Sequence, residues 1–337
     1  MSNRKTNFAL GAALCAALIA TTSAGSALAD EIKLRMVGAW APEFSPSADV
    51  GHNFMKNVNR IGEGKVRIDY IGAADVVPTF DQPEALVNGV FDVWYGAPNY
   101  WAGVVPAGDI TELSPFDTPD NGPGSELYDF MVDLYAAKGV RYVGHAAGLP
   151  GIGAHYISSQ KKVESLDDLK GMKLRVAPLT RHFAQAAGAE PITLPPSEIY
   201  LAMDRGTVDG FTWPVADAFT RYKWQQVSKY LIDQPMYRSG VSVNINQSVW
   251  DELPDDVKQI MLDAMAETQE WTRGWFQKNL DEQIAGMKEA GMEVLPISSE
   301  VSEAWTSLAE ESLWDYYESV MDPETFAQAE KLLERGS

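Results

Sequence analysis

The sequence predicts an α/β protein of two lobes. Two series of short strand patterns alternate with helical ones, the first before residue 150 and the second after it. A helical pattern from Pro254 to about Ala290 runs for 37 residues. At 1.5 Å per residue it reaches about 55 Å, more than one small domain, so it bridges both lobes.

The first series opens at Ile32-Lys33-Leu34-Arg35-Met36-Val37, which alternates apolar and polar residues as a strand does. Gly38 to Pro42 reads as a loop. From Ala48 to Ile61, Val50, Phe54, Met55, Val58 and Ile61 recur near helical spacing, and Gly62-Glu63-Gly64 stops the helix. Val66 to Ile71 alternates again. Gln82 to Asn88 is a short helix ended by Gly89, and Phe91 to Tyr95 is a third strand. Strands separated by helices imply a parallel sheet. Ala97 to Gly124 carries five prolines and has no regular pattern. Ser125 to Lys138 is an amphipathic helix, and Val140 to His145 a strand.

The second series starts near Ala154. Strands are expected at His155–Ser158, Lys173–Val176, Glu190–Leu194 and Val208–Phe211. Ser165 caps a helical turn at Leu166. Thr180–Ala187 and Glu198–Asp204 are helices stopped by Gly188 and Gly206. Val241 to Asn246 is a further strand. After the long helix come two more, 299–318 and 324–335.

Composition narrows the function. The 337 residues hold 27 Lys+Arg against 47 Asp+Glu, a formal net charge of −20. A phosphate-tracking surface needs the opposite excess, so nucleic acid is excluded as a partner. Arg4 and Lys5 precede an apolar run of 13 residues, Phe8 to Ala20, and Ala27-Leu28-Ala29 is a small-x-small cleavage signal. Residues 1–29 are therefore expected to be a cleaved signal peptide. The run is shorter than the ~20 residues of a membrane span. Cleavage leaves 308 residues with net charge −22 and removes Cys15, the sole cysteine. An exported chain of this size without disulfides fits the bacterial periplasm.

Enzyme motifs are missing: no GxSxG, Walker loop, HExxH or strand–GxGxxG–helix occurs. Gly148 to Gly153 is glycine-rich but contains Pro150, and no helix follows to cradle phosphate. The four histidines are scattered. The ends of the expected strands gather Trp40, Tyr95, Tyr100, Trp101, Arg175 and Trp213. In open α/β folds those ends face the crevice where ligands bind.

Four segments in order resemble one family. They are Leu166-Asp167-Asp168-Leu169-Lys170-Gly171-Met172-Lys173-Leu174-Arg175-Val176, then Gly188-Ala189-Glu190-Pro191, then Ser197-Glu198-Ile199-Tyr200-Leu201-Ala202-Met203, then Gly206-Thr207-Val208-Asp209-Gly210. The order and spacing across 163–214 are similar to the periplasmic solute-binding subunits of TRAP (tripartite ATP-independent periplasmic) transporters. Weaker agreement extends over 32–100 and 240–290.

The resemblance implies a two-lobed periplasmic binding protein fold with a hinged interlobe cleft. Lobe I would comprise 31–153 and 241–280, and lobe II 154–240 and 281–337. It implies no catalysis and no cofactor. The partners it implies are an organic acid and the membrane permease subunits, served by a periplasmic monomer. Arg175 matches the arginine that pairs with the ligand carboxylate, a role its planar fork of N–H donors suits. Trp213 stands where many members carry Asn, as in the branch for 2-oxo or 2-hydroxy acids. Part of that branch holds a metal through an acid beyond the next strand. Met236-Tyr237-Arg238-Ser239-Gly240 offers none, so no metal is expected. Arg238 is either a second positive charge for a diacid or an exposed arginine. His155 is either a donor to the ligand or structural. Trp40, Tyr95, Trp101 and Trp213 either wall the pocket or fill the core; as walls they favour a ligand with an apolar or aromatic body. Two rival readings are a secreted hydrolase, for which no nucleophile constellation is found, and a receptor serving a membrane sensor kinase.

Overall fold

The computed structural model describes residues 30–114, 120–148 and 153–333. The expected signal peptide and residues 149–152 of the glycine-rich segment lie outside them.

The first half builds β1 (Ile32–Gly38), α1 (Ser47–Ile61), β2 (Val66–Gly72), α2 (Gln82–Val87), β3 (Val93–Gly96), α3 (Glu126–Ala136) and β4 (Val140–Ala147). The chain then forms β5 (His155–Ser159), β6 (Lys173–Val176), α4 (Pro178–Ala186), β7 (Glu190–Thr193), α5 (Ile199–Asp204), β8 (Gly210–Pro214) and β9 (Tyr230–Ile232). It returns through β10 (Gly240–Asn246), α6 (Gln247–Glu252) and α7 (Asp255–Glu289), and ends with β11 (Glu293–Leu295), α8 (Ser299–Val320) and α9 (Pro323–Leu332).

These strands form two sheets, one per lobe. The five-stranded sheet has the order β2-β1-β3-β10-β4 and the six-stranded sheet β11-β9-β5-β8-β6-β7. The first sheet is mixed rather than parallel. β1 pairs in parallel with β2 and β3, but β10 lies antiparallel between β3 and β4. The reason is topological: β10 re-enters from the other lobe and owes its direction to no preceding helix. In the second sheet β6, β7 and β8 are parallel neighbours, while β5 runs antiparallel to β8 and β9.

Helix α7 has 35 residues and crosses between the lobes. Its first half packs on α1 and β4. In its second half Gln283 accepts hydrogen bonds from the Thr220 N–H and hydroxyl of lobe II, both at 2.8 Å. The fold is thus two α/β lobes joined by strand crossings and one long helix.

Two strands start later than the alternation suggested. Asp92 pairs with Arg35 and donates its N–H to the Arg35 carbonyl, so β3 begins at Val93. Asp209 accepts the Lys173 N–H and pairs with Lys161, so β8 begins at Gly210 and runs on to Pro214. Ser165 does cap a turn, through a reciprocal box with Asp168, but the turn is a single 3-10 turn, Leu166–Leu169. β9, β11 and α6 have no sequence signal. Strands of three residues are too short to show a period, and they exist through pairing: β9 adds to β5, and β11 adds to β9.

Candidate functional site

Arg175 lies on β6, a central strand between β8 and β7, opposite Phe211 and Ile192. Leu174 and Val176 point to the other face, as period 2 requires. The side chain reaches the carboxyl edge shared by the three parallel strands. There its guanidinium donates from Nε and Nη2 to the Leu194 carbonyl, at 2.8 and 2.6 Å, and from Nη1 to the Thr212 carbonyl at 3.1 Å. These bonds leave two of its five N–H donors. The residue is fully buried, and no carboxylate pairs with it among the described residues. Burial lowers its pKa to about 10, against the opposing pull of the Tyr100 hydroxyl.

Two groups from lobe II frame this cation. The Trp213 ring lies 5.6 Å from the guanidinium carbon. Its indole N–H donates to the Asp217 carbonyl at 3.0 Å, which fixes the ring. His155, at the start of β5 and paired in register with Pro214, is buried. Burial, then the Arg175 charge, pushes its pKa from 6.5 down to about 3, so the imidazole is neutral. Among the described residues its Nδ1 has no hydrogen-bond partner. A buried polar atom left unpaired is costly, and it marks a place where a further polar group fits.

Lobe I faces this edge with Trp40, just beyond β1, and Tyr100, in the 3-10 turn Pro98–Trp101 beyond β3. β1 and β3 are parallel neighbours, so both loops leave the same edge. The Trp40 indole N–H donates to the Tyr100 hydroxyl at 3.3 Å, and the rings meet at 5.8 Å and 63°. Burial pushes the Tyr100 phenol up to about 12, while the Arg175 charge draws it down. Helix α4 of lobe II packs against the same turn. A cavity of about 460 Å³ lined by Trp40 opens among Glu43, Phe44, Tyr70, Asp75 and Ser197.

The other expected site residues fall elsewhere. Tyr95 is a core strut: its hydroxyl donates to the Trp40 carbonyl at 2.9 Å and its ring fills the space over Gly38 and Gly51. Trp101 packs edge-on against Trp94 and Tyr135 in the core of lobe I. Arg238 is buried rather than exposed, and it joins a second cluster. Its N–H donates to the Glu112 carbonyl, and its charge acts on Glu112 and His145. The neighbouring Gly240 N–H donates to Glu112 Oε1 at 2.9 Å. Burial raises Glu112 to about 8 and Asp109 to about 7. Arg175 and Arg238 therefore belong to different clusters.

Tyr100 stands out as a site residue that the sequence marks only by its place at a strand end. Among the described residues no group of three or more His, Cys, Asp or Glu is placed to hold a metal ion, and no helix is long and apolar enough to cross a membrane.

The family model for bacterial extracellular solute-binding proteins, family 7 (DctP), matches residues 37–319. The C4-dicarboxylate-binding periplasmic protein DctP of Rhodobacter capsulatus is 26% identical over 304 residues, 88% of this chain and 90% of that one. The monocarboxylate 2-oxoacid-binding periplasmic protein of a Nostoc strain is 23% identical over 292 residues, 84% and 79% of the two chains. A TRAP periplasmic solute-binding protein from Desulfovibrio salexigens, solved with bound orotic acid, superposes with a TM-score of 0.76 at 20% identity, covering 90% of this chain and 97% of that one.

Proposed function

The chain belongs to the family 7 bacterial extracellular solute-binding proteins, and from that premise we propose that it captures an organic-acid anion between its lobes at Arg175 and delivers it to a TRAP membrane permease. Membership makes it a binding protein of the exported compartment rather than an enzyme. The observation that carries the ligand class is a fully buried guanidinium with no counter-charge among the described residues. Burying an unpaired cation is expensive, and a fold keeps one where an anion completes it.

Each side chain then has a role. Arg175 presents its remaining N–H donors to the carboxylate. Neutral His155 donates without adding charge. Trp213 and Trp40 close over the body of the ligand, and Tyr100 supplies a hydroxyl from the opposite lobe. Tyr95 supports the Trp40 backbone, and Trp101 acts through packing behind the wall. Arg238, with Glu112 and Gly240, braces the start of β10.

We assign lobe I to 31–153 and 241–280, and lobe II to 154–240 and 281–337, with residues 1–29 removed on export to the periplasm. The aromatic walls favour a monocarboxylate with an apolar or aromatic body; 2-oxo acids and aromatic acids head the candidates. A thermal-shift screen of organic acids tests this, because a ligand that binds only the folded state raises its melting temperature by mass action. Stabilisation by a carboxylate, with loss in an Arg175 variant, supports it. Stabilisation only by neutral or cationic solutes refutes it.

A further inference from the structure

The loop after β8 carries a contact that the carboxylate site does not use. Asp217 belongs to lobe II, yet its carboxylate reaches the first turn of α1 in lobe I. Oδ1 accepts the Ser47 N–H at 3.1 Å and Oδ2 accepts the Ser47 hydroxyl at 2.7 Å. The Ala218 N–H donates to the Ser45 carbonyl at 3.2 Å, and the Phe44 and Tyr222 rings stack at 3.8 Å. Asp217, Ser45 and Ser47 are all buried. A carboxyl group at the start of a helix takes up an N–H that the helix itself leaves free; burial raises the Asp217 pKa from 3.8 to about 7, with the Ser47 hydrogen bonds opposing. Here the helix and the carboxylate belong to different lobes.

The loop is built to aim that carboxylate. Ala218 has φ +45°, a left-handed conformation that costs an alanine energy. Phe219 and Trp224 pack on Phe211 of β8, and Gln283 of α7 holds Thr220. The segment therefore moves as part of lobe II. Among the described residues it is tied to the carboxylate site by the bond from the Trp213 indole to the Asp217 carbonyl and by the Asp217 N–H, which donates to the Pro214 carbonyl at 3.0 Å.

We propose that Asp217 is the positioning residue of lobe closure: its carboxylate latches α1 across the cleft, and Trp213 sets the latch according to the state of Arg175. An anion on Arg175 would seat the guanidinium against the Trp213 ring, and the indole would hold the Asp217 backbone in register with Ser47. This goes beyond the identity of the acid. The latch rests on the two-lobed fold, and its link to Arg175 rests on the carboxylate reading; interlobe distances in ligand-free protein test the latch apart from ligand affinity.

The test is an interlobe distance measured by pulsed electron spin resonance on ligand-free protein. Spin labels go on Glu63→Cys in lobe I and Lys170→Cys in lobe II, both exposed. Cys15 is the sole cysteine of the chain, within the expected signal peptide, so nothing in the described residues competes for label. Asp217→Ala is expected to shift the ratio of long-distance to short-distance populations by at least tenfold. Ser47→Ala, which removes one bond and leaves the helix N–H, should give a smaller shift in the same direction. The double variant should not exceed Asp217→Ala. Trp213→Phe, which touches no lobe I residue through this bond, should also lengthen the distance. Unchanged distributions in Asp217→Ala and Ser47→Ala, or additive effects in the double variant, overturn the latch. An unchanged distribution in Trp213→Phe overturns the tie from the Trp213 indole to the latch, and with it the route to Arg175. Should Asp217→Ala fail to fold, Ser47→Ala carries the test alone.

Discussion

Replacing Arg175 by Met separates a binding residue from a structural one. Methionine keeps the unbranched stem and removes the charge. A charge-assisted hydrogen bond to a buried carboxylate contributes ~1.5–3 kcal/mol. At about 1.4 kcal/mol per decade, its loss weakens binding by roughly tenfold to 150-fold. The stability of the free protein responds differently. Burial lowers the Arg175 pKa to about 10, so burying the cation costs on the order of a few kcal/mol, which the substitution recovers. Against this, the Leu194 and Thr212 carbonyls lose their donors, at ~1–3 kcal/mol for each group left unsatisfied. The two contributions oppose one another, so the melting temperature of the free protein should move by no more than about 5 °C. The assay is isothermal titration of wild type and variant with the acid that stabilises wild type most, together with calorimetric melting of both. Unchanged affinity in a folded variant refutes the assignment. Unchanged affinity with a collapse of tens of degrees would mark Arg175 as a structural arginine.

Four further outcomes follow from the same geometry. Tyr100→Phe removes the hydroxyl that meets the Trp40 indole and the Arg175 charge; titration should show affinity lowered about threefold to thirtyfold, with little change in melting. Trp101→Ala should cost about 3–5 kcal/mol in denaturant unfolding and leave affinity within about threefold, whereas Trp213→Ala should reduce affinity more than tenfold; the reverse order would exchange their roles. The His155 pKa of about 3 lies below the usual 6.5, so the unfolded chain binds the extra proton and stability falls as pH drops below 6.5. Urea unfolding at pH 7 and pH 5 should show His155→Gln losing about 2 kcal/mol less than wild type over that interval, and nitrogen NMR should find the imidazole neutral at pH 5. Gly51→Ala places a methyl group inside the Tyr95 ring; it should destabilise lobe I by about 1–3 kcal/mol in urea unfolding and weaken binding through the displaced Trp40 backbone.

By itself the sequence determined the local elements and the family. Alternation of residue type sets strand faces, and helical spacing with glycine stops sets α1, α3 and α7, because both patterns depend on neighbours within a few residues. The run from Leu166 to Val176 marked Arg175 through resemblance. The tertiary structure decided what depends on distant chain. β10 runs antiparallel because it returns from the other lobe, and β9 and β11 exist only as partners. Trp101 and Trp213 both sit near strand ends, yet one packs on Trp94 and Tyr135 and the other faces Arg175. An aromatic side chain is equally at home in a core or a pocket wall, so only its surroundings distinguish the two. Asp217 and Ser47 are 170 residues apart in sequence and bonded in space. Neither carries a local signal of that contact, because it arises only when two lobes, each folded on its own sheet, approach across the cleft.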